Sequence, residues 1–336
     1  MKLRTFLFTL YLAAVLPVGV FAAASYTVVD IGTLGGQTVP YAINEVGQVA
    51  GYSEVAGVSH AFLYSNGAIQ DLGTLGGSQS TAYGINNNGD VVGSFTALPL
   101  GLNHAFLYSN GVMTDLGTLA VNYQSGASQI NNRGQIVGVA GTSTGSHAFL
   151  YNRGVMQDLG TLGGSNSSGS GINAVGQVVG LSYLPGDTAF HAMLYSRGTM
   201  SDLGALPNGC CSQAQAINLF GRAVGGSTFR PDLGNDHAFL YDSGTMTDLG
   251  TLYPDPSIAS SFAYAINDHG QIVGETDALG GDYGVHAFLY QRSVMTDLNA
   301  LVSLDTTLVA AFGINNAGQI AAFGSNGHGY LLTPIH

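Results

Sequence analysis

Short apolar segments alternate with turn residues along most of the chain, and none is long enough for a convincing helix. The first complete set spans residues 38–44, 48–53, 60–64 and 68–73, which we name segments a, b, c and d. Asn-x-x-Gly separates a from b in every repeat, and Tyr-x-x-Gly separates c from d in most. Asn forms Asx-turns and Gly readily takes positive φ, so both spacings predict tight β-hairpins.

The set recurs, and segment c carries its clearest signature, His-Ala-Phe-Leu-Tyr. Copies, one with Met for Phe and the last one decayed, begin at His60, His104, His147, His191, His237, His286 and His328. The period of about 44 residues lies in the range of four-stranded propeller blades. Small residues before the Ile-Asn of segment a suit an innermost strand, where blades crowd around an axis. They are Ala42, Gly84, Gly171, Ala216, Ala265 and Gly313, with Gln129 as the exception.

The two ends of the repeat array complement each other. Residues 26–32 form a segment d without its c, and residues 328–333 form a segment c without its d. An open solenoid would instead need polar capping repeats. We therefore predict an all-β, seven-bladed β-propeller of four-stranded blades, closed by pairing of the N- and C-terminal strands.

The first residues predict export. Lys2 and Arg4 precede an apolar run over residues 6–24 that ends in three alanines, which is typical of a cleaved signal peptide. We expect a signal peptide over residues 1–24, one propeller domain over residues 25–336, and a secreted protein, extracellular or periplasmic. An uncleaved anchor is the alternative, because the run is almost long enough to span a bilayer. Nothing later in the sequence resembles a transmembrane helix.

Charge argues against two kinds of partner. Without Lys2 and Arg4, six arginines and no lysine stand against twenty acidic residues, a formal net charge of −14. Such a chain would repel nucleic acid and anionic membranes. We expect a monomer.

The candidate chemistry is sparse. No nucleophile elbow, phosphate loop or metal-binding Cys/His spacing is present, so we predict no catalytic residue, metal site or cofactor. The adjacent Cys210 and Cys211 are compatible with a vicinal disulfide, intermolecular pairing or free thiols. Each His of segment c precedes the Asp of the following Asp-Leu-Gly by eleven residues, as in His60 and Asp71. A two-residue turn puts both on one sheet face, so we expect a repeated structural hydrogen bond in preference to a sevenfold site.

The repeated signatures resemble a known family. His-Ala-Phe-Leu-Tyr, Asp-Leu-Gly-Thr-Leu-Gly-Gly and Gly-Ile-Asn-x-x-Gly-Gln are similar to those of the HAF family of extracellular repeat proteins, over essentially the whole mature chain. The resemblance implies export and an architectural repeat without established catalytic residues. Many members carry a C-terminal sorting tag with a hydrophobic helix. No such segment precedes His336, so we do not expect anchoring by that route.

Loop lengths indicate which face would bind. The a–b and c–d turns are constant, whereas the b–c and d–a connections vary, and alternating strand direction puts both variable connections on one face. The longest span residues 182–188, 228–236, 252–261 and 276–284. Variable loops on a rigid scaffold commonly carry binding functions. The candidate ligand-binding residues are Tyr183, Asp187, Phe229, Arg230, Asp232, Asp236, Tyr253, Asp255, Asp277, Asp282 and Tyr283.

These residues predict a secreted, non-enzymatic propeller that binds an unknown protein or glycan through the variable-loop face. Aromatic rings beside carboxylates suit sugars or peptides, and carboxylates with carbonyls would suit Ca²⁺. The alternatives are a secreted propeller enzyme, such as a lyase, hydrolase or lactonase, with its site at the mouth of the axial channel, and a purely structural extracellular component. Solvated loops without a ligand fit the same pattern.

Overall fold

The computed structural model describes residues 26–230, 234–278 and 284–335, with only the backbone of Arg230. The predicted signal peptide therefore lies outside the described residues. Within them, 28 strands form seven four-stranded antiparallel sheets. No helix of this part of the chain is long and apolar enough to cross a membrane.

The seven sheets are successive blades. Blade 1 comprises β2 (Thr38–Ile43), β3 (Val49–Val55), β4 (Val58–Ser65) and β5 (Ala68–Asp71); blade 2, β6 (Ser80–Ile85), β7 (Val91–Ala97), β8 (Leu102–Ser109) and β9 (Val112–Asp115). Blade 3 comprises β10 (Ser125–Ile130), β11 (Ile136–Gly141), β12 (Ser146–Asn152) and β13 (Val155–Asp158); blade 4, β14 (Ser167–Ile172), β15 (Val178–Tyr183), β16 (Phe190–Ser196) and β17 (Thr199–Asp202). Blade 5 comprises β18 (Ser212–Ile217), β19 (Ala223–Arg230), β20 (Asn235–Asp242) and β21 (Thr245–Asp248); blade 6, β22 (Ser261–Ile266), β23 (Ile272–Asp277), β24 (Val285–Gln291) and β25 (Val294–Asp297).

Blade 7 combines the two ends of the described chain. It comprises β26 (Leu308–Ile314), β27 (Ile320–Gly324), β28 (Gly329–Pro334) and β1 (Tyr26–Asp30), and a short 3-10 helix, η1 (Leu298–Leu301), precedes it. β1 pairs antiparallel with β28, from Tyr26 opposite Pro334 to Asp30 opposite Tyr330. The first strand of blade 1 packs beside the first strands of blades 2 and 7, so the ring is closed. The predicted seven-bladed propeller and its closure are confirmed.

Alternating strand direction gives the ring two different faces. One face carries the Asn-x-x-Gly and Tyr-x-x-Gly turns, and we name it the constant-turn face. The other carries the b–c and d–a connections, and we name it the variable-loop face. Between the faces, the blades pack through the centre of segment c, where Phe62 and Phe106 are completely buried.

A ring of seven buried asparagines joins the blades near the constant-turn face. Each is the first residue of an Asn-x-x-Gly turn, and its side-chain amide donates to the backbone carbonyl of the next asparagine at 2.9–3.4 Å. The ring members in order are Asn44, Asn86, Asn131, Asn173, Asn218, Asn267 and Asn315, and the last donates to the first. The side-chain oxygen of Asn44 also accepts from the amides of Val46 and Gln48, which is the predicted Asx-turn.

The innermost strands approach one another closely, and this explains their small residues. A Cβ added to Gly84 would lie 2.6 Å from the Gln129 side-chain oxygen and 3.0 Å from the Ser128 carbonyl of the next blade. Gln129, the exception to the small-residue pattern, thus occupies space that Gly84 leaves open.

Every innermost strand bulges at the residue just before its small residue, or just before Gln129 in blade 3. The pairing register with the second strand shifts there, for example between Pro40 and Ala42. A bulge re-aims a side chain. The seven bulged residues are Tyr41, Tyr83, Ser128, Ser170, Gln215, Tyr264 and Phe312.

Candidate functional site

All seven predicted His–Asp pairs are present as hydrogen bonds. Each joins the imidazole Nδ1 to the carboxylate at 2.7–2.9 Å, and the seventh links His328 to Asp30 across the chain closure. Because Phe62 lies opposite Asp71, His60 is the diagonal neighbour of that carboxylate on the same sheet face. The carboxylate of Asp71 also accepts from the amide of Gly73, two residues later, at 2.7 Å. Each pair therefore links segment c to the start of the d–a connection through hydrogen bonds.

The pair in blade 5 differs from the others. His237 is fully buried, its second ring nitrogen lies 3.0 Å from the carbonyl oxygen of Pro256, and its ring stacks on Phe229 with centroids 4.0 Å apart. Neither a carboxylate nor a carbonyl can donate a proton, so the protonated imidazole satisfies both contacts best. Burial lowers the pKa of His237, but its hydrogen bonds, chiefly to Asp248, outweigh burial and leave the pKa raised.

Several predicted ligand-binding residues contact neighbouring loop or strand residues of the protein itself. Asp187 accepts from the amide of Ser165 at 2.8 Å, and this bond lowers the pKa of the Asp187 carboxyl. Asp277 accepts from the amide of Ser260 at 2.8 Å. Phe229 stacks on His237. These contacts give Asp187, Asp277 and Phe229 structural roles on the variable-loop face.

The remaining predicted residues are spread along the same face. Tyr183 packs on Phe190, opposite it in the hairpin, with ring centroids 5.5 Å apart. Asp255 accepts from the amide of Ser257, and Asp236 is exposed on β20. Tyr253 lies in the connection to blade 6. Asp232, Asp282, Tyr283 and the Arg230 side chain lie outside what the structure describes.

A cavity of about 1050 Å³ runs along the propeller axis. All seven bulged residues line it. Its lining continues onto the variable-loop face through Tyr123, Gln124, Thr142, Ser143 and Asn103, so its mouth lies on that face beside blades 2 and 3. None of the predicted loop residues whose side chains are described lines it.

The cavity has two chemically different sides. Rings from four consecutive blades form an aromatic wall: Tyr264 and Phe312 have centroids 4.9 Å apart, Phe312 and Tyr41 5.2 Å, and Tyr41 and Tyr83 5.4 Å. Blades 3, 4 and 5 supply hydroxyl and amide groups instead. These polar bulged residues are Ser128, Ser170 and Gln215.

A half-buried carboxylate, Glu275 on β23, lies against the aromatic wall. It pairs in the sheet with Phe262, whose ring packs on Tyr264. Burial raises the pKa of Glu275, the neighbouring Tyr264 hydroxyl opposes that rise, and Asp277 adds to it. Burial, with Glu275 and Tyr41 nearby, also raises the pKa of Tyr264. Burial beside Tyr52 and Tyr83 raises the pKa of Tyr41 to about 12.

The described residues that line the cavity include no Asp, Glu, His, Cys, Lys or Arg. No group of three or more metal-ligating side chains suited to a metal ion occurs in the described residues. The lining can stack a ring and hydrogen-bond hydroxyl or amide groups, but it offers no pair of titratable groups for acid–base chemistry.

Of the three states that the sequence allows for Cys210 and Cys211, the structure has free thiols, with the sulfur atoms 3.1 Å apart on the variable-loop side. The wall residues were missed although they occupy one fixed place, just before the small residue of Ile-Asn. The aromatic character of that place in four blades was the available signal.

Neither a family model nor a curated protein matches the sequence. Similar solved structures include a puromycin-hydrolyzing peptidase of Mycobacterium tuberculosis (TM-score 0.58, 10% identity, 86% of this chain and 48% of that one). Streptogramin B lyase has a TM-score of 0.58 at 12% identity over 93% of this chain and 98% of the lyase. The chain spans about half the length of the peptidase. At these identities the likeness shows the fold alone.

The β-propeller domain of the Trilobed protease from Pyrococcus furiosus is also similar (TM-score 0.57, 10% identity, 86% of this chain and 91% of that domain). That domain is described as having an open velcro topology. Here β1 completes the blade of β28, so the two ring closures differ.

Proposed function

We propose that the chain is an exported, non-enzymatic β-propeller that binds a glycan at the mouth of its axial cavity, on the variable-loop face. The observation that carries this proposal is the opposition of an aromatic wall to hydroxyl and amide groups in one open cavity. Sugar rings present apolar C–H faces together with hydroxyl groups. A site with one stacking side and one hydrogen-bonding side complements both.

Export is the second part of the proposal. It rests on the charged and apolar residues that open the sequence and on the resemblance of the repeats to HAF-family extracellular proteins.

A glycan array, probed with and without Ca²⁺, tests the proposal. We expect binding that survives removal of Ca²⁺, because the described residues of the cavity lining include no carboxylate to ligate it. Replacing two wall residues, Tyr41→Ala with Phe312→Ala, should weaken binding about tenfold or more, since each ring supplies stacking area. The control is Asn132→Ala, whose exposed side chain lies on the constant-turn face. Equal losses from the two faces would overturn the assignment.

An enzyme is the second candidate, and Glu275 is the observation that favours it. A carboxylate whose pKa is raised by burial beside a cleft is a common general acid. Incubation with any oligosaccharide that the array identifies, followed by mass spectrometry, separates the candidates. We expect the oligosaccharide to be recovered unchanged; cleavage or elimination that Glu275→Gln abolishes would establish the enzyme. If the protein captures a protein partner and no glycan, and the wall variants lose that partner, the ligand is a protein and the glycan assignment is wrong.

A further inference from the structure

We infer that the blade 6 side of the axial cavity is a subsite for an ammonium group, so that the bound glycan is an amino sugar with a free amine. This inference rests on the proposed function and names its ligand class. The juxtaposition behind it is a carboxylate, Glu275, which lies outside the cavity lining but pairs in the sheet with Phe262, beside the continuous aromatic wall.

The wall has the form of a cation-binding surface around that carboxylate. Glu275 pairs in the sheet with Phe262, whose ring packs on Tyr264 with centroids 5.0 Å apart. Tyr264 packs in turn on Phe312. Aromatic faces attract cations through their negative π clouds, and they do so most strongly where water is excluded. A carboxylate beside such faces selects a cation that can also donate hydrogen bonds.

Glu275 lacks a protein cation among the described side chains. The arginines whose side chains the structure describes all lie in or next to turns of the constant-turn face, and they are Arg133, Arg153, Arg197, Arg222 and Arg292. Arg230, at the end of β19, is described only by its backbone. The described residues include Tyr264 as a neighbour of the carboxylate, which has about four acceptor sites. A partly buried carboxylate without a counter-charge is costly. An incoming ammonium would supply both charge and donors.

The charge of the variable-loop face also favours a cationic ligand. The constant-turn face is nearly balanced, with Glu45, Asp90, Asp242 and Asp268 against those five arginines. The other described carboxylates lie toward the variable-loop face, and they are Asp30, Glu54, Asp71, Asp115, Asp158, Asp187, Asp202, Asp236, Asp248, Asp255, Glu275, Asp277, Asp297 and Asp305. A face with a large excess of one sign of charge raises the local concentration of the opposite ion. Cationic ligands are therefore drawn toward the cavity mouth.

A metal ion fits this corner less well than an ammonium group. Ca²⁺ takes six to eight oxygen ligands, and no cluster of three acidic or other ligating side chains occurs in the described residues. A ring wall with one carboxylate instead supplies cation–π contacts and a hydrogen-bonding counter-charge.

Two tetrasaccharides that differ only at nitrogen test the inference: the glucosamine tetramer, with free amines, and the N-acetylglucosamine tetramer. Calorimetry should give a Kd for the amine form about tenfold lower. Glu275→Gln should remove that preference while leaving the Kd for the acetylated form within about twofold. Asp305→Asn is the matched control, because it removes one exposed carboxylate from the same face and should keep most of the preference.

The outcomes separate the two proposals. If both tetramers bind equally and Glu275→Gln changes neither, the ammonium subsite is wrong and glycan binding stands. If neither tetramer nor any array glycan binds, the proposed function fails and the inference fails with it. If a lysine peptide binds through Glu275 in place of the sugars, the amino-sugar assignment is overturned.

A measurement on the unaltered protein guards against a variant that fails to fold. Methylammonium chloride should compete with the glucosamine tetramer, whereas sodium chloride at the same ionic strength should compete less. Equal competition by the two salts would show that the cation is attracted only by long-range electrostatics, and it would contradict the proposed ammonium subsite.

Discussion

The two faces of the propeller use the same repeat for different purposes. On the constant-turn face every blade contributes the same residue, asparagine, to one closed ring of hydrogen bonds. Toward the variable-loop face the equivalent inward positions differ, with aromatic rings in four blades and polar groups in three. Uniform positions in the repeat join the blades. Positions that vary from blade to blade make one side of the cavity unlike the other, which an asymmetric ligand requires.

Charge sharpens this contrast. The arginines of the constant-turn face lie among a similar number of carboxylates, and Arg222 pairs with Asp242 at 2.8 Å. The variable-loop face carries most of the acidic residues, many of them held by histidines or by loop amides. We therefore expect substitutions on the constant-turn face to change stability, and substitutions at the cavity mouth to change binding.

The largest effect should come from breaking the ring itself. A chain that begins at residue 33 lacks β1 and loses the burial of Tyr26 and Ile31, which are 6% and 2% exposed. Two such side chains stabilise the fold by about 3–6 kcal/mol together. We expect at least that loss in urea unfolding, with aggregation through the bare edge of β28.

A peptide of residues 25–32, added to the shortened chain, provides the control. It should restore stability, whereas a scrambled peptide should not. Unfolding of the shortened chain at the same urea concentration as the chain from residue 25 would show that ring closure is not needed.

The asparagine ring should give the next largest effect. Asn131→Ala removes the donor to the Asn173 carbonyl and to Gln135, together with the acceptor for two turn amides. Leaving these partly buried groups unpaired should cost about 2–4 kcal/mol in unfolding free energy. Asn88→Ala, an exposed change in the neighbouring turn, should cost less than about 0.5 kcal/mol. Similar losses from both variants would mean that the ring does not stabilise the fold.

The His–Asp pairs should contribute less, because their carboxylates are partly exposed. His147 and Asp158 are 2.8 Å apart, with the Asp158 side chain 42% exposed, so His147→Ala should cost about 1 kcal/mol. Combined with Asp158→Ala, it should cost less than the two single losses added together. Additive losses in a double-mutant cycle would exclude an interaction between the two side chains.

The smallest effect should be a pH dependence at one place on the variable-loop face. The pKa of His237 is raised in the folded protein, so its contribution to stability is complete below the unfolded pKa and is lost as pH rises through the folded pKa. As pH rises above about 6.5, the ordinary pKa of histidine, the unfolding midpoint should fall more in the unaltered protein than in His237→Gln. Parallel curves for the two proteins would show that His237 does not carry a raised pKa.

Much of the fold could be predicted because it repeats. The turn spacings determine hairpins, the period determines blade size, and the complementary ends determine closure by β1 and β28. The eleven-residue spacing of His147 and Asp158 was sufficient because a two-residue turn leaves little freedom in register. These inferences rest on local geometry that every blade shares.

The cavity could not be predicted in the same way. A bulge changes which side chain faces the axis, so alternation along segment a does not identify Tyr41 or Phe312 as lining residues. Tyr41 and Phe312 are far apart in the sequence and meet only because blades 1 and 7 are neighbours in the closed ring. The loop acids illustrate the opposite problem, because Asp187 and Asp277 resemble ligand groups in sequence but hold backbone amides in the structure.

Tyrosine NMR tests most directly whether the ligand enters the axial cavity from the variable-loop face. In a ring-labelled sample titrated with the glucosamine tetramer, the signals of Tyr41, Tyr83 and Tyr264, assigned by Phe substitution, should shift. The signals of Tyr151 and Tyr195, near the c–d turns of the constant-turn face, should stay unchanged. Shifts confined to those outer tyrosines, or binding that leaves the three wall tyrosines unchanged, would contradict the account.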